Sequence, residues 1–211
     1  MYNLPHFKET NPEEIIPFMH EHPFAFLSGS TVAGKLIATQ IPLLTEERNG
    51  ELFLLGHVMR GTDHFKAFSE NPSVLAVFTG PHTYVSASWY SNPHMGSTWN
   101  YMSVHAAGKV SILPEEGLRE LMRKLSLKFE GNNGSSPTVF DNLSPDYLKQ
   151  MLPAIAGIEI KVESLEHVFK LSQNRDEQSY RNIIAELEKQ GGDGKLIAAE
   201  MRKRAAKLFS K

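Results

Sequence analysis

Cysteine is absent from the 211-residue chain. That removes disulfides, thiolate metal sites and a thiol nucleophile from consideration. No window approaches the ~18 uninterrupted apolar residues of a membrane-crossing helix. The opening MYNLPHFKET carries no apolar run behind basic residues of the kind that marks a secretory leader. Charge of either sign is also scarce in excess: the formal net charge is −2 and the isoelectric point is about 6.5. Such a balance exerts no global pull on nucleic acid or anionic lipid. The expectation is a soluble, cytoplasmic protein with no membrane partner.

A more local absence is the most informative. No Asp or Glu occurs from residue 71 to residue 114. Within that span, residues 78–108 (FTGPHTYVSASWYSNPHMGSTWNYMSVHAAG) hold both tryptophans, three tyrosines and three histidines. Flat rings, hydroxyls and amides without negative charge suit a planar, anionic ligand. Trp and Tyr are also frequent half-buried core residues whose polar tips find ordinary partners, so the composition alone leaves both readings open.

Several familiar motifs fail. Residues 29–35 (GSTVAGK) imitate a phosphate-binding loop, but Leu36 stands where Ser or Thr would hold magnesium, and a strand follows rather than a helix. A hairpin turn is the better reading. His20 and His22 lie two apart, no HExxH occurs, and no carboxylate sits beside the central histidines, so no metal site is expected. No GxSxG elbow accompanies Ser86 or Ser88, and no paired carboxylates serve acid–base chemistry in the aromatic span.

Periodicity gives a mainly β (α+β) chain. Residues 24–29, 35–44, 51–59, 73–78, 83–87 and 99–113 read as strands, with 157–162 and 167–171 as a further pair. Asn11, Pro12 and two glutamates signal a helix start. Helices are also expected at 63–70, from Glu115 to about 129, at 144–151 with Ser144 as cap, and at 176–189 and 194–209. No repeat or long linker divides the chain. One domain over 1–211 is expected, with 176–211 as a helical C-terminal extension packed on it.

Four segments, in order, carry a resemblance: GHVMR at 56–60, GPHTYVSASWY at 80–90, TWNYMSVHAAG at 98–108 and KLSQNR at 170–175. HPFAFLSG and IPLL nearer the N-terminus agree with it. Together they resemble the PaiB family of FMN-binding negative transcriptional regulators, within the FMN-binding split-barrel superfamily. The resemblance implies a six-stranded split β-barrel with peripheral helices, a homodimer with FMN at its interface, and a link to repression of protease production and sporulation. It assigns the FMN phosphate to Arg60, Thr62 and Lys66, with His64 beside them; a planar guanidinium, a hydroxyl and an ammonium match a phosphate monoester.

For the flavin ring the resemblance points to His57 and Val58 on the strand beneath it, and to Trp89, Tyr90, Trp99, Asn100 and Tyr101 as walls and polar tips. Strand alternation keeps Trp99, Asn100 and Tyr101 from all facing one way, so at most two should touch ligand. Lys170, Gln173 and Arg175 would close over the site or cap the helix that follows.

Two other functions stay open at this level. One is an FMN-dependent oxidoreductase, a flavin reductase or a pyridoxamine-phosphate-oxidase type, because the flavin itself supplies hydride chemistry. The other is a haem-binding split barrel with His82, His94, His105 or His167 as axial ligand. DNA enters as a partner through the resemblance only. Nothing resembles a helix-turn-helix, and the basic set Arg202, Lys203, Arg204 and Lys207 reads as a solvated helix face.

Overall fold

Two hairpins open the sheet of the computed structural model, which describes residues 4–8 and 12–210. In the first, β1 (Phe24–Ser30) and β2 (Leu36–Pro42) pair antiparallel from Phe24↔Pro42 to Ser30↔Leu36. Thr31 N donates to Lys35 O and Gly34 N to Thr31 O, each at 2.9 Å, with Gly34 at φ +80°. A residue without Cβ takes that conformation at little cost. The GSTVAGK segment is thus a hairpin turn, as its context predicts.

In the second hairpin, β3 (Leu44–Arg48) pairs with β4 (Glu51–Met59) across Asn49 and Gly50. These two residues have φ +55° and +78°, the left-handed pair that a two-residue hairpin requires. Residues 35–44 therefore do not form one strand: β2 ends at Pro42 and a new strand begins at Leu44.

Three long strands follow: β5 (Ser73–Val85), β6 (Thr98–Ile112) and β7 (Ile155–Lys170). Each of β5 and β7 joins what the sequence pattern separates into two short strands. The sheet runs β2-β1-β5-β6-β7-β4-β3. The expected six-stranded barrel is therefore corrected to a seven-stranded sheet: the two mergers reduce the eight predicted segments to six, and β3 adds one.

The helices fall near their predicted places: α1 (Ile15–Glu21), α2 (Asp63–Glu70), α3 (Glu115–Phe129), α4 (Pro145–Met151), α5 (Glu177–Gln190) and α6 (Gly192–Phe209). Ser144 caps α4 by accepting from Tyr147 N, and Asp176 caps α5 by accepting from Ser179 N. Asn11, the expected first cap, lies outside the described residues. No helix among those described is long and apolar enough to cross a membrane.

The chain divides into two compact units, the first drawn from Met1–Phe18, Thr79–Val104 and Glu166–Lys211, the second from Met19–Phe78 and His105–Leu165. In the second unit, Leu44 and Leu55 of the β3–β4 hairpin bury against Leu121 and Leu125 of α3. Leu118, Phe140, Leu152 and Ile155 form a neighbouring cluster. Full burial of each such side chain contributes roughly 1.5–3 kcal/mol. Gly108 lets β6 approach β7 closely: a Cβ there would stand 2.1 Å from Lys161 O, so any larger residue would force the strands apart.

In the first unit, α5 and α6 bury Tyr180, Ile183 and Leu187 with Ile197 and Met201. The fully buried Tyr180 donates its hydroxyl to Met201 O at 2.8 Å. Burial raises the Tyr180 pKa well above its usual value. The rings of Phe18 and Phe169 pack with centroids 5.1 Å apart.

Candidate functional site

The predicted phosphate residues sit in the second unit, where β4 gives way to α2. Val58 is buried in the core and His57, its neighbour on β4, is half-buried. Beyond the strand end the chain turns, with Arg60 N bonded to Ala154 O at 2.9 Å. The Arg60 side chain is exposed, lies 5.6 Å over the Phe65 ring, and has no ion pair among the described residues.

Thr62 is the N-cap of α2. Its hydroxyl donates to Met59 O at 2.6 Å and accepts from Phe65 N at 3.4 Å. That leaves the amides of Asp63 and His64 with no intrahelical acceptor. Lys66 is largely exposed, its Nζ 4.0 Å from Glu70 on the next turn. His64 differs from these, because its side chain is mostly covered and its Nδ1 lies 3.6 Å from the Asp63 carboxylate. The corner gathers two solvent-facing cations and the first-turn amides of α2, a donor set suited to a phosphate monoester, while the Thr62 hydroxyl spends its proton on Met59 O and serves as the cap.

The predicted aromatic walls sit in the first unit. Trp99 and Tyr101 share one face of β6, with Asn100 on the other. Trp99 is 54% exposed, and its ring neighbours His82 at 6.3 Å and Tyr84 at 6.1 Å between centroids. Asn100 is fully buried. Its Oδ1 accepts from Ser172 Oγ at 2.9 Å and its Nδ2 faces Met201 Sδ at 3.5 Å. Trp89 ends a short 3-10 turn, Ala87–Trp89, and its carbonyl accepts from Asn182 Nδ2 at 3.0 Å.

The KLSQNR segment is the turn between β7 and α5. Lys170 donates to Thr98 Oγ1, and burial, with Arg175 nearby, lowers its pKa. Gln173 folds back onto its own turn, its Oε1 accepting from Leu171 N at 2.7 Å and its Nε2 donating to Phe169 O. Arg175 lies over the Tyr90 ring at 4.3 Å and reaches Met95 Sδ at 3.3 Å. Sequence reasoning missed Ser172, a buried residue at φ +61° that locks this turn to Asn100. A non-glycine residue in that conformation leaves no trace in composition.

Four buried side-chain polar atoms among the described residues lack a hydrogen-bond partner: Thr45 Oγ1, His57 Nδ1, Tyr90 Oη and Arg175 Nε. Three of the four belong to residues that the sequence assigns to cofactor binding. Buried polar groups are nearly always satisfied, so each orphan calls for a ligand or water. His57 bears the same mark electrostatically, since burial lowers its pKa and favours the neutral ring. A flavin presents carbonyls and ring nitrogens that the orphaned His57 can meet, so the residues of the second unit, with the cations of the β4–α2 corner, fit FMN.

The family described as "Putative FMN-binding domain" matches residues 1–164. A curated relative, "Protease synthase and sporulation protein PAI 2" of Bacillus subtilis, is 38% identical over 201 residues, covering 95% of this chain and 96% of that one. This chain belongs to the PaiB family. Solved structures extend the fold relationship. The FAD and haem binding protein of Mycobacterium smegmatis aligns with a TM-score of 0.57 at 17% identity, over 77% of this chain and 72% of that one. A conserved hypothetical protein of Mycobacterium tuberculosis gives 0.57 at 13% identity, over 81% and 91%. The PaiB chain is thus a split-barrel flavoprotein fold with peripheral helices and FMN as its cofactor.

Proposed function

We propose that this chain is a PaiB-like, FMN-binding transcriptional regulator, cytoplasmic and homodimeric, acting on protease production and sporulation as the name of its Bacillus subtilis relative suggests. The observation that carries the reading is the orphaned His57 Nδ1 on the strand that leads to Arg60, inside the residues 1–164 that the FMN-binding family matches. In this reading Arg60, Lys66 and the first-turn amides of α2 hold the phosphate, and Thr62 caps that helix. The orphaned His57 Nδ1 meets a polar edge of the flavin, and Trp99 and Tyr84 meet a second copy of the chain. The exposure of these rings, 54% and 47%, supports that last assignment. Bound FMN would supply a reversible redox centre.

The basic set of α6 argues against direct DNA reading. Arg202 pairs with Glu188, and Lys203 and Arg204 both pair with Glu200 at 2.5 Å. Arg204 also pairs with Glu14 at 2.6 Å. Burial pushes the Glu200 carboxyl up, but the bonds from Lys203 and Arg204 outweigh it and hold the pKa low. Cations so neutralised release few counterions from a duplex. Regulation then passes through a protein partner or a small molecule.

Absorbance of the purified protein with FMN, before and after anaerobic NADH or NADPH, tests the reading. Flavin bands without reductive turnover support a regulator; turnover makes the protein an oxidoreductase. Sedimentation at low micromolar concentration should give twice the 23.7 kDa chain mass.

A further inference from the structure

Below the β4–α2 corner, the second unit holds a pocket of about 370 Å³ that contains none of the orphaned atoms and shares only Arg60 with the proposed phosphate residues. Its walls come from three places: the strand end at Arg60, the first turns of α3, and α4 with the turn after it. Leu118 and Leu152, both buried in the second unit's core, line it. Arg119 and Glu115 both line it and neutralise each other, with Nη2 to Oε1 at 2.8 Å. Arg60, whose guanidinium lies over the Phe65 ring, and Lys149 have no ion pair among the described residues. Two unpaired cations therefore flank a leucine-lined cavity of small-molecule size.

We propose that this pocket binds a small organic anion, a carboxylate carried on a compact apolar body. The leucines take the body, and Lys149 and Arg60 take the charge. An anion without a body would gain nothing from Leu118 and Leu152. A neutral apolar molecule would leave both cations unanswered. Arg60 borders the proposed phosphate corner as well, and its five N–H donors suffice for two anions. On the proposed reading as a regulator, with Arg202, Lys203 and Arg204 of α6 spent on internal pairs, an effector pocket in the second unit supplies an input.

The test uses the full chain saturated with FMN and two probes matched in shape, 4-phenylbutyrate and 4-phenylbutan-1-ol, titrated by calorimetry. The acid should bind about tenfold tighter than the alcohol, the difference one charge-assisted bond provides. Lys149→Gln, an exposed position, should erase most of that difference and leave the alcohol unchanged. Leu148→Trp, which fills the pocket, should abolish both while the circular dichroism spectrum stays unaltered. Equal binding of acid and alcohol, or no effect of Lys149→Gln, overturns the inference. So does acid binding that appears only in FMN-free protein, since the pocket would then be part of the cofactor site.

Discussion

At the β4–α2 corner, Arg60 stands in solvent without an ion pair and Lys66 reaches only a distant Glu70. In the first unit, by contrast, Asn100 and Ser172 bond each other, and Lys170 bonds Thr98. The corner keeps its polar groups for something outside the chain, whereas the aromatic segment uses most of its own to hold β6, β7 and α5 in place. A side chain of the first kind should change affinity without changing stability. One of the second kind should do the reverse, and Tyr90 and Arg175 stand apart from it, each with a buried polar atom that no described residue satisfies.

Asn100→Ala should show the largest effect on the packed side. It removes the partner of a buried hydroxyl and leaves a void, and should cost roughly 2–3 kcal/mol in denaturant unfolding. A loss of FMN affinity at unchanged stability would move Asn100 into the ligand's shell and break the contrast. Arg60→Ala is the matching test of the open side. It should weaken FMN by at least about tenfold while stability changes by less than about 0.5 kcal/mol.

Tyr90→Phe sharpens the comparison further. Deleting an unsatisfied buried hydroxyl should leave the FMN-free protein as stable or more stable, by up to about 1 kcal/mol. The same variant should weaken FMN several-fold. Destabilisation without any change in FMN binding would show that the hydroxyl serves the fold through water.

The smallest effect is one of pH. Burial lowers the pKa of His57 in the folded state, so the unfolded chain takes up the proton first as pH falls below about 6.5. The neutral ring therefore contributes stability that is present above that value and is lost on acidification. Melting temperatures from pH 7.5 to 5.5 should fall less steeply in His57→Gln than in the unsubstituted protein. His20, lowered by burial and by Lys128, leaves a residual slope in both.

Much of the scaffold was legible because period and caps agree with tertiary structure. Ser144, Pro145 and the alternation in β1 are local signals that packing does not override. The Asn49-Gly50 turn was legible too, yet was overlooked because the apolar run through Leu44 suggested one continuous strand. The joining of 73–78 with the expected strand at 83–87 into β5, which ends at Val85 before the turn capped by Ser86, was hidden by Gly80 and Pro81, which usually break strands but here lie within one.

For the candidate site, residue types were readable and their employment was not. Strand alternation foretold that Trp99 and Tyr101 would part from Asn100. It could not foretell that Asn100 would meet Ser172 seventy-two positions away. Nor does any local pattern bring Lys149 beside Arg60. Only the return of the chain through α4 does so.

The central claim is that the β4–α2 corner recognises the phosphate of FMN, and calorimetric titration of the unsubstituted protein with FMN and with riboflavin tests it most directly. The account predicts FMN tighter by at least about tenfold, with the advantage lost in Arg60→Ala. Equal affinity for FMN and riboflavin would contradict it.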